Sequence, residues 1–125
     1  MILTLHTETV IDSSHNLKGY KGKCKNIHGH SWLIKLWFRG NSKLKDEIGI
    51  LLDFGIVKKL KERLDHQYLN DVIGKNPTAE NLVEWIYEWL QHQDPRIKNK
   101  EIKVKIRIYE TAVRKETYCE GGDFQ

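Results

Sequence analysis

Three histidines in the first quarter of the chain have the types and spacing of metal ligands. His28 and His30 flank Gly29 and lead into the strand-like segment Ser31–Arg39. Because residues two apart in a strand project to the same side, both imidazoles point to one place if the strand begins by His28. His15 follows an earlier strand-like segment, and a hairpin would bring it beside them. Three neutral imidazoles suit Zn²⁺ and leave a fourth position open for water or substrate.

A thiol lies near these histidines along the chain. Cys24 precedes His28 by four residues, a spacing that also permits a closed Cys-His₃ site that would hold the fold and do no chemistry. A His-x-His pair also occurs by chance, so spacing alone leaves the catalytic, structural and non-binding interpretations open. Four lysines surround the thiol in the sequence: Lys18, Lys21, Lys23 and Lys25. They could attract phosphates, lower the pKa of the thiol, or simply belong to a solvated loop.

An acid and a histidine stand together at the end of a predicted amphipathic helix. A carboxylate such as Asp65 can orient a neighbouring imidazole and raise its basicity, which would make His66 useful for proton transfer. The alternative is a helix-terminal histidine favoured by the macrodipole. The sequence alone favours this second interpretation.

A further acid closes the most regular strand of the sequence. The carboxylate of Glu110, followed by Thr111, can accept two parallel N–H bonds from a guanidine-like ring edge, such as that of a pterin or guanine. The alternative is a solvated acid at a strand end, and the sequence alone favours this second interpretation.

Four strands are predicted to position these residues. The first is β-branched and covers Leu3–Asp12, and the second covers Ser31–Arg39 and ends in a turn at 40–42. Residues 18–25 are predicted to be a loop. Glu101–Glu110 alternates with period two and so has one dry face, formed by Ile102, Val104, Ile106 and Ile108. The last strand is predicted over Ala112–Cys119.

Two helices are predicted in the middle of the chain. Asp53 is expected to cap the first, whose apolar stripe is Ile56, Val57, Leu60 and Leu64. The second begins around residues 76–78, with Pro77 at the first helical position. Its stripe is Leu82, Val83, Trp85, Ile86, Trp89 and Leu90. The order ββααββ predicts an α+β fold in which helices cover one face of a mostly antiparallel sheet.

Length and composition narrow the class of protein. The 125 residues, 39% hydrophobic and 30% charged, predict one globular domain over residues 1–125. No apolar run is long enough for a membrane span, and the start of the chain is not a signal peptide. Two cysteines predict a cytoplasmic protein with reduced thiols. The net charge of +4 permits an anionic small molecule and does not indicate nucleic-acid binding.

Taken together, these motifs resemble the 6-pyruvoyl-tetrahydropterin synthase family, and within it the bacterial branch that forms 6-carboxy-5,6,7,8-tetrahydropterin in queuosine biosynthesis. The resemblance extends from about Val10 to about Tyr118. Its motifs are Ser14-His15, Cys24-x₃-His28-Gly29-His30, the segment 49–55, Leu64-Asp65-His66-x₂-Leu69-Asn70, the segment 77–81 and Glu110-Thr111.

The resemblance implies a fold, an assembly and a reaction. The fold would be the tunnelling fold, whose sheets join around a ring of subunits into a barrel. The usual assembly is a homohexamer of two stacked trimers with active sites between subunits. The activity would be that of a zinc-dependent carbon–oxygen lyase that converts 7,8-dihydroneopterin triphosphate to 6-carboxytetrahydropterin, acetaldehyde and triphosphate. The alternatives are formation of 6-pyruvoyltetrahydropterin on the same scaffold and a non-catalytic zinc-stabilised module.

The resemblance also implies residue roles. His15, His28 and His30 would bind zinc. Cys24 would be the proton-abstracting base, completed by Asp65 and His66, across a subunit interface. Glu110 would anchor the pterin ring, helped by Thr78 and Glu80. The short Cys24-x₃-His28 spacing favours the carboxy-forming branch. Two departures from the family pattern are Ile11-Asp12-Ser13-Ser14 before the first histidine and Ala112 in place of a proline.

Overall fold

The computed structural model describes residues 1–125 and contains a four-stranded antiparallel sheet in the order β1-β2-β3-β4. The α+β class and the antiparallel pairing predicted from the sequence are confirmed. The strands are β1 (Ile2–His15), β2 (His28–Asn41), β3 (Lys103–Tyr109) and β4 (Cys119–Gly122). The helices are α1 (Gly55–Leu64), α2 (Leu69–Ile73), α3 (Ala79–Gln93) and α4 (Pro95–Lys98).

The long hairpin of β1 and β2 dominates the sheet. Its register runs from the pair Ile2↔Asn41 to the pair His15↔His28, so both strands are longer than the sequence predicted. The predicted turn at residues 40–42 begins later, in a single 3₁₀ turn at Ser42–Leu44. The extension matters for function, because it carries the strands as far as the histidines.

The helices cover one face of the sheet, as predicted. On β3 the alternating residues Val104, Ile106 and Ile108 are fully buried against them. The stripes of α1 and α3 are buried at Ile56, Leu60, Leu64 and at Leu82, Val83, Ile86, Leu90. Val57, Trp85 and Trp89 are only partly buried at the edge of this core. One core therefore lies between the helices and the sheet.

The helix starts differ slightly from the prediction. Phe54 stands at the N-cap of α1, while the side chain of Asp53 accepts the N–H of Gly55 at 2.7 Å. The prediction that Pro77 occupies the first helical position of α3 was wrong. Thr78 is the N-cap, and its hydroxyl accepts the N–H of Asn81. A hydroxyl in this position satisfies a free helix N–H, so the helix begins after threonine rather than at proline.

The last strand was placed wrongly. It was predicted over Ala112–Cys119, but β4 begins at Cys119 and contains Gly121 and Gly122. A Cβ on Gly122 would lie 2.3 Å from the carbonyl oxygen of Val104, so only glycine permits this close pairing with β3. Glycine has low strand propensity, and this is why the pattern pointed elsewhere.

Two short helices, α2 and α4, were not predicted. Each has five residues or fewer, too short for an apolar period to be visible in the sequence. None of the helices has the length and apolarity that crossing a membrane requires.

Candidate metal centre

The β1–β2 hairpin gathers the three histidines at one end of the sheet. His15 and His28 are direct cross-strand partners, and His30 lies two residues further along β2 on the same face. The ring centroids are separated by 4.6 Å for His15–His28, 5.0 Å for His15–His30 and 4.8 Å for His28–His30. The three imidazoles thus form a nearly equilateral triangle.

Backbone carbonyls orient two of these rings. The Nδ1 of His15 lies 2.9 Å from the carbonyl oxygen of Pro77, and the Nδ1 of His28 lies 2.7 Å from that of Asn26. Since a carbonyl only accepts, each Nδ1 carries the proton and donates it. The Nε2 lone pair of each ring is then free for a cation, which is the usual arrangement around histidine metal ligands.

A carboxylate completes the group. Glu110 follows β3, and its Oε1 lies 3.0 Å from the Nε2 of His30. The potential ligand atoms of His15, His28, His30 and Glu110 all lie within 4.8 Å of one another. This group is the histidine and glutamate cluster that could hold a metal ion.

Two ring nitrogens test whether this group fits a cation. The Nε2 atoms of His15 and His30 are buried and have no hydrogen-bond partner. The contact between His30 and Glu110 is close, but it does not have hydrogen-bond geometry. Buried polar atoms without partners are costly. A divalent cation among these atoms would satisfy them, so the residues fit a metal.

Burial favours the neutral form of two of the rings, His15 and His30. Desolvation lowers the pKa of His15, and the nearby His28 lowers it further, while the Pro77 carbonyl opposes the shift. Burial also lowers the pKa of His30 against the opposing effect of Glu110. Neutral imidazoles are the form that binds metal, so little proton competition is expected at neutral pH.

Trp32 forms the wall behind the rings and was missed in the sequence. Its side chain is fully buried, edge-on to His15 at 4.8 Å and to His30 at 5.3 Å. Its Nε1 donates to the carbonyl of Ser13 at 3.2 Å. A sequence signal was available, because Trp32 continues the two-residue spacing of His28 and His30. The indole excludes water from one side of the site.

The thiol lies outside the histidine group. Cys24 is half-buried in a 3₁₀ turn, Lys23–Lys25, and its sulfur makes no hydrogen bond. The closed Cys-His₃ site considered above is therefore not formed, since the fourth member of the group is Glu110 and not Cys24. The loop is anchored to the end of β1, where the N–H of Leu17 donates to the Cys24 carbonyl at 2.7 Å. This hydrogen bond holds the backbone of Cys24 next to the end of β1.

The predicted acid–histidine pair lies against the edge of β1. Asp65 accepts the N–H of Asp12 at 2.8 Å through Oδ1, and its Oδ2 lies 3.5 Å from the Nε2 of His66. The backbone N–H of His66 donates to the Asp12 carbonyl at 2.8 Å. His66 has a positive φ of 54° and a side chain that is 80% exposed. The pair is thus fixed by backbone contacts while its imidazole remains open to solvent.

This exposed imidazole opens into a concavity of about 600 Å³. The concavity is lined by His30 of the histidine group, by the segments 12–14 and 66–68, and by Gly29 and Ser31. No hydrogen bond joins Cys24 to Asp65 or His66, and neither belongs to the histidine group. One chain therefore does not assemble the thiol, the acid and the histidine into a triad.

The two remaining predicted binding residues lie at the start of α3. Thr78 uses its hydroxyl to cap the helix, and Glu80 is exposed on the first turn. Pro77, directly before them, supplies the carbonyl that holds His15. The start of α3 is thereby tied to the histidine group.

The comparisons with known proteins agree with this arrangement. The family model described as 6-pyruvoyl tetrahydropterin synthase matches residues 4–120. The chain belongs to the 6-pyruvoyl tetrahydropterin synthase family. With this membership, the prediction of a lyase-type enzyme of tetrahydropterin synthesis is confirmed. That all four grouped residues lie within the matched range links the metal centre to the family domain.

Two relatives illustrate the similarity in sequence. A Synechocystis protein named 6-carboxy-5,6,7,8-tetrahydropterin synthase is 33% identical over 96 residues, which cover 70% of this chain and 74% of that protein. A Haemophilus influenzae protein of the same name is 25% identical over 141 aligned positions, covering 90% of this chain and 94% of that protein.

Two solved structures show the same subunit fold. The 6-pyruvoyl tetrahydropterin synthase of Caenorhabditis elegans superposes with a TM-score of 0.74 at 22% identity, over 99% of this chain and 97% of that one. The Plasmodium falciparum protein of the same name gives 0.70 at 17% identity, over 99% of both chains. The predicted tunnelling-fold subunit is confirmed.

Proposed function

We propose that this protein is a zinc-dependent 6-carboxy-5,6,7,8-tetrahydropterin synthase. It would convert 7,8-dihydroneopterin triphosphate and one water to 6-carboxytetrahydropterin, acetaldehyde and triphosphate, as a step of queuosine biosynthesis in the cytoplasm. The observation that carries the proposal is the convergence of three imidazoles, two with unpartnered buried Nε2 atoms, beside Glu110. The names of the similar Synechocystis and Haemophilus influenzae proteins support the choice of product.

His15, His28 and His30 are the proposed zinc ligands. Zinc bound there would act as a Lewis acid toward oxygens of the substrate side chain. Pro77 and Asn26 hold two of the rings in the required tautomer through their carbonyls. Glu110 would accept two N–H bonds from the pterin ring edge, and its position next to His30 supports this role because it directs the ring toward the metal.

Cys24, Asp65 and His66 are the proposed proton-transfer residues. Cys24 would take a proton from the substrate, and the Asp65-oriented imidazole of His66 would pass protons to and from it. Within one chain Asp65 and His66 are neighbours, but no hydrogen bond joins Cys24 to either of them. We propose that a neighbouring subunit brings the thiol and the pair together. Thr78 and Glu80 would contact the substrate from the start of α3.

The proposed assembly is a homohexamer of two stacked trimers, in which the sheets of neighbouring subunits join into a barrel. Two features of the single domain, residues 1–125, support it. The outer edges of β1 and β4 both lie at the ends of the sheet, and open edges are normally paired or covered. Closure into a barrel would pair them. The exposed His66 would then face a neighbour rather than solvent.

A second candidate product is 6-pyruvoyltetrahydropterin. The names of the family model and of the solved structures favour this alternative. The two reactions use the same scaffold and differ in what leaves the side chain.

The deciding experiment identifies the products. Purified protein is incubated with 7,8-dihydroneopterin triphosphate, and the products are identified by mass. We expect a carboxypterin and acetaldehyde in equal amounts. A pyruvoyl product would overturn the proposed branch, and intact substrate with zinc-loaded protein would overturn the enzyme proposal.

A pair of cysteine variants tests the catalytic thiol. Cys24→Ala should keep zinc and the oligomer but lose turnover, while the matched control Cys119→Ala should keep all three. Loss of zinc in Cys24→Ala would contradict the proposed ligand set.

A further inference from the structure

The sheet face that points away from the helices is organised in cross-strand rows. The side chains of Arg39 and Lys103 are direct partners, and in the next row Trp37 lies between His6 and Lys105. Both rows are far from the metal centre along β2. Nine residues separate His30 from Arg39, which corresponds to roughly 30 Å at ~3.4 Å per strand residue.

One row of this face shows how the sheet normally tolerates cations. Lys35 and Arg107 are direct cross-strand partners, a like-charge pair that destabilises a sheet. Each has an acid on its other side: Glu8 lies 3.9 Å from Lys35, and Glu120 lies 2.7 Å from Arg107. The charges in this row are therefore compensated within the chain.

The two rows below it are different. Arg39, Lys103 and Lys105, which we name the basic corner, take part in none of the ion pairs of the molecule. Arg39 and Lys103 face each other directly, and Lys105 stands diagonally from Arg39, about 7 Å away in an antiparallel sheet. Three cations on neighbouring strands without an acidic partner repel one another, and an anion bound among them would relieve this repulsion.

Aromatic rings hold two of these cations in place. The guanidinium of Arg39 lies 3.9 Å from the ring centroid of Phe124, and the ammonium of Lys105 lies 4.3 Å from that of Trp37. The Nε of Arg39 donates to the hydroxyl of Thr4 at 3.3 Å, which leaves its terminal nitrogens free. Contact with ring faces orients a cation without neutralising it. The corner is thus prearranged and still positive.

We propose that the basic corner binds an inorganic oligophosphate chain. Three cations of this kind, one of them a guanidinium with free fork nitrogens, match closely spaced phosphate oxygens. The neighbouring row carries acids at both of its ends, so the positive area is small. A small area suits a short phosphate chain rather than a long nucleic-acid backbone, which needs an extended basic track. The proposal does not depend on the metal centre or on the proposed reaction.

The test measures binding of sodium tripolyphosphate to the full-length protein by calorimetry and thermal unfolding at low ionic strength. The test variant is Lys103→Gln/Lys105→Gln. The matched control, Lys58→Gln/Lys61→Gln, removes the same charge from exposed positions of α1. Wild type and control should bind with a similar dissociation constant, and the test variant should bind on the order of tenfold more weakly or worse. Because all three proteins carry the same histidines, removal of metal by the chelating probe affects them equally.

A second readout distinguishes binding from a general charge effect. Without the probe, the test variant should melt at a higher temperature than the control, since like-charge repulsion is relieved. With the probe, that order should reverse. Equal weakening in both variants, or no saturable binding to wild type, would overturn the proposal.

A third arm identifies the source of the phosphates. A nucleoside triphosphate should bind no more tightly than tripolyphosphate, because the rings of Trp37 and Phe124 are already occupied by cations. Much tighter binding of the nucleotide would overturn the choice of an inorganic chain.

Discussion

Two clusters of ionisable side chains lie at opposite ends of α3 and differ in how their polar atoms are used. At the start of the helix, His15, His28 and His30 leave two buried nitrogens without partners. At its end, Asp94 accepts from the Nε and Nη2 of Arg96 at 3.1 and 2.8 Å and from the Arg96 backbone N–H at 2.9 Å. The guanidinium holds the pKa of that carboxyl below its usual value.

The difference teaches where to look for chemistry in this molecule. The Asp94 end borders a cavity of about 510 Å³, yet its charges satisfy one another and cap α4. The histidine end presents its ligand atoms to a shared point. Unused bonding capacity, rather than cavity size, therefore separates the functional cluster from the structural one.

The largest effect is expected from a substitution in the histidine cluster. His28→Ala should lower zinc content from about one ion per chain to a small fraction, since it removes one of the three proposed imidazole ligands. Elemental analysis after gel filtration measures it. The exposed His92 supplies the control, and His92→Ala should load zinc normally. Full zinc content in His28→Ala would show that the metal binds elsewhere.

The next largest effect is expected from a substitution in the Asp94–Arg96 pair. Asp94→Asn removes the charge partner of Arg96, while the amide oxygen can still cap α4, so the free energy of unfolding should fall by about 2 kcal/mol through the lost charge-assisted hydrogen bonds. Denaturant unfolding gives this value. Zinc content should stay at the wild-type level. A parallel loss of zinc would mean that the two ends of α3 are not independent.

The pH dependence separates the two clusters further. Burial lowers the folded-state pKa of His15 and His30 below 6.5, so the unfolded chain binds more protons below that pH. In the metal-free protein, the stability that depends on the neutral rings should be fully present above about pH 6.5. It should be lost as the pH falls through the folded-state pKa values of the two histidines.

The carboxyl group responds in a lower window. The folded pKa of Asp94 is below 3.8, so the stability from its pairing is present above that pH and lost as the pH falls further. Melting temperatures across pH should show both limbs, and Asp94→Asn should flatten only the lower one. An unchanged lower limb in that variant would contradict this assignment.

The smallest expected effect comes from Thr78, which caps α3 and is also a proposed substrate contact. Thr78→Ala should cost about 1 kcal/mol of stability through the lost α3 cap. Thr78→Ser should restore it, as thermal unfolding would show. If Thr78 also contacts substrate, the alanine variant should raise KM beyond what the serine variant does.

Much of the fold was accessible from the sequence because period-two and helical patterns are strong in the long elements. The buried residues of β3 and of α1 and α3 were recovered almost completely. The histidines were recovered because two-residue spacing in a strand fixes their side. The loop around Cys24 was also predicted. In the structure it contains no strand or α-helix, only one 3₁₀ turn.

The errors have local physical causes. β4 was misplaced because Gly121 and Gly122 are chosen for close approach and not for strand propensity. The position of Glu110 next to His30 depends on the β2–β3 register, which no local pattern encodes. Trp32 lay within the predicted second strand, but its contact with the rings required the fold.

The bond from His15 to the Pro77 carbonyl spans 62 residues of sequence. Its formation requires that α3 has already docked on the hairpin, so the hairpin alone holds its first histidine in no fixed tautomer. A cation that favours the oriented ring would therefore bind the docked state better than the free hairpin, and its binding would stabilise the docked helix layer. Metal affinity and the docking of α3 would then be thermodynamically coupled.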